Sequence, residues 1–235
     1  MAGAGVEKDL CRREVVVFDW DGTVADSVAQ VVQAIRKTAE SLGLTPPPAE
    51  TIRPLVGLGL GEMLQQFVPD FPAERHAEFL DTYRRHYFGN RQRVDIPFAG
   101  IPELLKALRA QGRRLALPVV TGKNEPLTFR VWEAGAPLRT AAFGVQVPET
   151  DETVVPDVLV IPCVGFRVLD GRPYRLGYGG GFYDRTLALP AFRRTGSVGV
   201  AYDQAETSSW APDVWDMPLS MLLTPSRCIV AMASP

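Results

Sequence analysis

The chain has 235 residues, 25 of them basic and 27 acidic, for a net charge of −2. That balance excludes a surface built to neutralise nucleic acid and points to a small-molecule ligand. No apolar run is long enough to span a bilayer, while the length suffices for one large α/β domain or a core with a smaller second unit.

Residues 1–13 are small residues followed by charges, a tail without the apolar centre of a secretory signal. Glu14–Phe18 is a short apolar run that ends in acidic residues, which predicts a buried parallel strand with its chemistry at the carboxyl end. Val28, Val31, Val32, Ile35 and Leu42 then recur at helical spacing, and Gly43 supplies a stop. Thr45-Pro46-Pro47-Pro48 is a rigid break, after which Gly61–Phe67 and Ala73–Phe88 keep a helical pattern with no convincing strand. A helical cap over about residues 26–96 is therefore expected as an insertion after the first strand. His76, His86 and the cluster Arg84, Arg85, Arg91 and Arg93 read as its solvated surface. Pro102–Ala110 predicts a further helix, closed by Gly112.

From Leu115 the texture changes to short apolar strands between Gly and Pro turns: Leu115–Val120, Leu127–Trp132, Val158–Phe166, Ser197–Tyr202 and Cys228–Met232. Leu115–Val120 is apolar without alternation, which predicts a central strand buried on both faces. Trp210 and Trp215, around Pro212, predict a packed corner near the C-terminus. Cys11, Cys163 and Cys228 share no metal-ligand spacing, and Cys163 reads as a buried thiol, so a reduced, cytoplasmic protein is expected. Together the elements predict a three-layer α/β/α fold with a mainly parallel sheet and its ligand cleft at the carboxyl ends of the strands.

The densest chemical signal is Leu176-Gly177-Tyr178-Gly179-Gly180-Gly181-Phe182-Tyr183-Asp184-Arg185, with four glycines in five positions. Glycine opens conformations that side chains forbid, and lets backbone N–H groups approach an anion. The following apolar residues, Leu187 and Leu189, read as the first turns of a helix whose N-terminus would favour the same anion. A plain surface turn is the alternative, against which the flanking aromatics argue.

A second motif, Asp19-Trp20-Asp21-Gly22-Thr23, is followed by Asp26-Ser27 and by Pro97-Phe98-Ala99-Gly100. On these residues the span 14–117 resembles the haloacid-dehalogenase phosphohydrolases, in particular the phosphoglycolate-phosphatase-like branch with a helical cap. The resemblance implies Asp19 as the nucleophile, Asp21 as general acid/base, Thr121 as the strand-end hydroxyl, and Mg²⁺ shared by Asp19 and Asp21. No lysine follows Lys123, and the late acidic pair that the family needs is represented only by Asp203 and Glu206, in a different context.

The span 114–235 resembles 5-formyltetrahydrofolate cyclo-ligase. That likeness rests on Leu117-Pro118-Val119-Val120, Pro126 through Trp132, Phe143-Gly144-Val145, Val155-Pro156-Asp157 and above all Arg175 through Arg185. It implies ATP and Mg²⁺ as cofactors, with phosphates held by Arg175, Gly177, Tyr178, Gly179, Gly180, Gly181, Phe182 and Arg185. It places Asp184 and Asp216 near the metal, and Trp132 and Tyr183 in the folate pocket. The family's basic first segment is replaced here by the phosphatase-like half, and Trp215 and Pro225 stand where a His and a Glu are usual. Both likenesses accept Arg113 through Lys123, so the chain reads as a chimera joined in an equivalent helix–strand unit, the two halves sharing one sheet. Three functions remain: an ATP-dependent cyclo-ligase with weak or absent turnover on a reduced folate, a Mg²⁺-dependent phosphohydrolase of a small phosphomonoester, or a folded chimera without activity.

Overall fold

The computed structural model describes residues 14–20, 22–26, 28–52, 60–69, 71–89, 97–122, 124–133, 135–140, 146–177 and 179–232. Expectations for the tail, Asp21, Ser27, Arg91, Arg93, Lys123, Phe143 through Val145 and Tyr178 lie outside the described residues.

Among the described residues the strands are β1 (Val15–Phe18), β2 (Arg114–Val119), β3 (Thr128–Trp132), β4 (Leu138–Thr140), β5 (Gln146–Pro148), β6 (Val158–Pro162), β7 (Gly165–Leu169), β8 (Arg172–Leu176), β9 (Gly196–Val200), β10 (Met221–Leu223) and β11 (Cys228–Val230). Seven of them form one sheet in the order β11-β10-β9-β6-β1-β2-β3. The five inner strands, from β10 to β2, pair in parallel, and only the edge strands β11 and β3 run antiparallel. The sheet is thus mainly parallel, as expected. β4–β5 and β7–β8 are separate antiparallel hairpins.

Buried parallel strands are apolar on both faces, and β1 shows why. Val15 and Val17 point into a cluster with Ala116, Phe129, Leu159, Ile161, Leu187 and Leu222. Val16 and Phe18 point the other way, into a cluster with Leu105, Leu115, Leu117, Trp132 and Val198. β2 likewise divides Ala116 from Leu115 and Leu117, so it is an interior strand buried on both faces. The second face is covered by α5 (Ile101–Ala110), where Gly112 closes the helix at φ +73°. The first carries the six-residue α6 (Phe182–Leu187), the turn at 190–192 and Phe166 of β7.

β1 is anchored at its start by Asp157, just before β6. Its Oδ2 accepts the backbone N–H groups of Glu14 and Val15, each at 2.9 Å. Thr195 Oγ1 donates to Pro156 O at 2.7 Å, and Gly196 N–H to Asp157 O, which registers β9 against the same turn.

Residues 25–97 form a second compact unit. Its helices are α1 (Val28–Ser41), α2 (Ala49–Ile52), α3 (Leu60–Phe67) and α4 (His76–Phe88). Val32, Ile35 and Ile52 make one core cluster, and Leu64, Phe71 and Phe79 another. Gly43, at φ +73°, ends α1 while Leu44 N–H reaches back to Ala39 O. His76 and His86 are half-buried rather than solvated: His76 stacks on Phe71, and His86 Nε2 bonds Ser41 Oγ at 2.8 Å. Among the described residues no helix is long and apolar enough to cross a membrane.

Replacing Asp157 with Ala leaves two backbone donors at the head of β1 without their acceptor. A loss of about 1–3 kcal/mol in unfolding free energy is expected by urea titration, with the fold retained.

Candidate functional site

The carboxyl end of β1 places Asp19 beside β6, where its backbone N–H bonds Val160 O at 3.1 Å. Opposite stands Tyr183 of α6, whose hydroxyl donates to Asp19 Oδ1 at 2.5 Å. Tyr183 reaches this point because it lies one helical turn before Leu187, which is packed into the sheet. α6 is itself pinned: Leu127 N–H donates to Thr186 Oγ1 at 2.8 Å, and Thr186 is fully buried. Burial, and then the charge and hydrogen bond of Asp19, push the Tyr183 phenol well above its ordinary range, with Arg175 opposing. At neutral pH the phenol keeps its proton and Asp19 accepts it.

Arg175, buried at the end of β8, lies over the Tyr183 ring at 5.0 Å and donates to Asp184 Oδ2 at 3.0 Å. The other oxygen of Asp184 accepts Met217 N–H at 3.2 Å. Between Arg175 and α6 runs the glycine loop. Gly179 and Gly181 hold φ of +78° and +61°, which side chains rarely adopt. A Cβ added at Gly177 would meet the Arg175 guanidinium, which therefore lies against the loop backbone. Arg185 turns back on the loop, donating to Gly180 O at 2.6 Å and lying over Phe182 at 5.2 Å. The structure therefore brings together Asp19, Arg175, Gly177, Gly179, Gly180, Gly181, Phe182, Tyr183, Asp184 and Arg185.

Other expected site residues stand elsewhere. Trp132 is buried in the cluster on the far face of the sheet, edge-on to Trp20 at 5.7 Å, while Tyr183 packs against the near face. The two do not line one pocket. Thr121 is exposed just beyond β2. Asp216 accepts Asp213 N–H at 2.7 Å, closing a turn whose apex carries Val214 and Trp215. Trp215 is 79% exposed, so the corner expected there is not packed around it. Asp216 instead lines a cleft of about 620 Å³ with Arg172, Tyr174 and Met232.

Carboxylate oxygens suit Mg²⁺. Yet Asp184 is turned to Arg175 and Met217 N–H, and Asp216 to Asp213 N–H. Among the described residues no group of three or more His, Cys, Asp or Glu could hold a metal ion. These residues do not fit a preformed metal site.

Cys163 follows β6, and burial pushes its thiol up to about 12. The thiolate is the reactive form, so Cys163 should resist iodoacetamide in the folded protein at pH 8. Cys228, which is exposed, should label readily in a Cys11→Ser background. Mass spectrometry before and after denaturation reads both sites.

A mostly parallel open sheet with its polar groups gathered at the carboxyl ends of the strands defines an α/β protein of the crevice-binding type. The family models go further: haloacid dehalogenase-like hydrolase matches residues 16–133, and the 5-formyltetrahydrofolate cyclo-ligase family matches residues 92–225. The chain belongs to both families, and their models overlap over residues 92–133, which hold α5, β2 and β3. Among relatives, it is 32% identical over 117 residues to phosphoglycolate phosphatase of Aquifex aeolicus, covering 50% of this chain and 53% of that one. It is 35% identical over 130 residues to 5-formyltetrahydrofolate cyclo-ligase of Escherichia coli K12, covering 53% and 70% respectively. The chain thus spans about half the length of that phosphatase. The NMR structure of Aquifex aeolicus 5,10-methenyltetrahydrofolate synthetase aligns over 89% of this chain and 95% of that chain, at 21% identity and a TM-score of 0.45.

The contact of Tyr183 with Asp19 was not expected from sequence. The spacing of Tyr183 and Leu187, four apart on one short helix, was the available signal that the tyrosine faces the sheet.

Proposed function

We propose that the chain is a nucleotide-dependent cyclo-ligase acting on 5-formyltetrahydrofolate. ATP would transfer its terminal phosphoryl group to the formyl oxygen, and ring closure would release phosphate to give 5,10-methenyltetrahydrofolate and ADP. The observation that carries this reading is the framed glycine loop. Arg175 is locked between Asp184 and the Tyr183 ring, and Gly179 and Gly181 hold a turn that leaves the backbone open to an anion.

Phosphoryl transfer asks chiefly for positioning and charge neutralisation. In this chain Arg175 and Arg185 supply the positive charge nearest the loop. Mg²⁺ is commonly held through substrate phosphates and one or two carboxylates, so it would arrive with the nucleotide rather than bind a cage of protein groups. The phosphatase alternative has less support, since no lysine follows Lys123 and the late acids Asp203 and Glu206 are bonded to Thr224, Ser226 and Arg227.

The test is conversion of 5-formyltetrahydrofolate with MgATP, followed by the absorbance of the methenyl product and by ADP release. Gly180→Val bears on the loop itself: a Cβ there meets the Phe182 ring at 2.9 Å. That variant should bind ATP about tenfold more weakly by calorimetry, the equivalent of ~1.4 kcal/mol, while its circular dichroism stays native. Unchanged affinity in the folded variant would count against the loop as the nucleotide site.

A further inference from the structure

From the Asp19–Tyr183 contact we infer that Asp19 is a positioning residue for Tyr183, fixing the phenol at the cyclo-ligase site, rather than a phosphoryl acceptor. This role rests on the proposed cyclo-ligase function. It assigns to a residue of the phosphatase-like half a task in the chemistry of the other half.

Three observations converge on it. The Tyr183 hydroxyl donates to Asp19 Oδ1 at 2.5 Å, a short bond between groups 164 positions apart. The tyrosine ring is clamped from the other side by Arg175, which Asp184 holds in turn. Asp19 is itself fixed at the strand end by Asp19 N–H to Val160 O. The phenol therefore has one orientation, set by the carboxylate of Asp19 just past the end of β1 and the Arg175 guanidinium near the end of β8. A donor committed to Asp19 leaves the phenolic oxygen free to act only as an acceptor, so any substrate group it meets must be a donor. The bond occupies Oδ1, one of the two carboxylate oxygens of Asp19, and the lysine that the phosphohydrolase resemblance calls for is missing after Lys123.

The experiment uses the full chain and four variants: Asp19→Asn, Asp19→Leu, Tyr183→Phe, and Asp19→Leu combined with Tyr183→Phe. A hydrogen bond to a charged partner sets the scale, so Asp19→Leu and Tyr183→Phe should each lower kcat for methenyl formation about tenfold. The KM for ATP should stay within about twofold, because the glycine loop is intact. Asp19→Asn keeps an acceptor for the phenol and should recover most of the loss. The double variant should be no worse than the single ones, the mark of two residues acting as a unit.

Asp19→Leu with undiminished turnover overturns the inference, as does Asp19→Asn falling as far as Asp19→Leu. Phosphorylation of Asp19 on incubation with acetyl phosphate, seen as a phosphopeptide in the unaltered chain and lost in Asp19→Asn, overturns it as well. No methenyl formation by the unaltered chain removes the cyclo-ligase function and this role together. Turnover in the unaltered chain that survives Asp19→Leu removes this role alone.

Discussion

The structure depends on β1 being paired along both of its edges. Four residues, Val15–Phe18, lie between β2 on one side and β6 on the other. Without them the seven-stranded sheet would divide into β2–β3 and a β6–β9–β10–β11 remainder. The carboxylate of Asp157 holds the head of that strand, and Tyr183 meets the aspartate at its tail. Both core clusters draw side chains from it in strict alternation, so a shift of one residue would exchange the faces.

That constraint also explains how one chain can belong to two families. β1 and α5 lie within the hydrolase match alone or in the overlap, whereas β6 and β9 lie in the cyclo-ligase match alone. Parallel pairing asks of a neighbour only an apolar strand of the right direction and length, and Val158–Pro162 meets β1 on those terms. β2, apolar on both faces, belongs to both matches and needs no compromise. The cost of the union falls at the strand ends, where polar groups of different origin face one another. Tyr183 and Asp19 settle that meeting by a hydrogen bond.

Most of the sheet was legible because buried parallel strands announce themselves as unbroken apolar runs: Val15–Phe18, Leu115–Val119 and Ser197–Val200 needed little else. Val158–Phe166 read as one strand but is two: the break at Cys163 and Val164 is itself apolar, and the Pro162 and Gly165 that flank it were passed over. β8 escaped notice because it is rich in Arg and contains Pro173, and it stands in a small hairpin outside the main sheet rather than as a buried apolar strand. β10 has only three residues. Within the site, the glycine loop with Asp184 and Arg185 stood out in the local sequence; Arg175 came from the cyclo-ligase resemblance, and its pairing with Asp184 was not expected. Trp132 was not, because nothing in a five-residue strand tells which face of the sheet an aromatic will take, and it joined the core beside Trp20.

The placement of β1 also bears on how the chain acquires its structure. Its partner β2 lies about a hundred positions downstream and β6 farther still, with Val16 pairing with both Leu115 and Val158. Contacts so distant along the chain close slowly, because the entropy of the intervening loop is lost before any pairing rewards it. β1 and β2 both leave the ribosome before Val158–Pro162, so a β1–β2 pair formed during synthesis would present a bare apolar edge until β6 is released. A strand paired along one edge only, inside what will become the sheet, is the kind of surface that chaperones bind and neighbouring chains can capture. The feature that unites the two halves in the finished molecule is thus also the one that leaves it most vulnerable while it is being made.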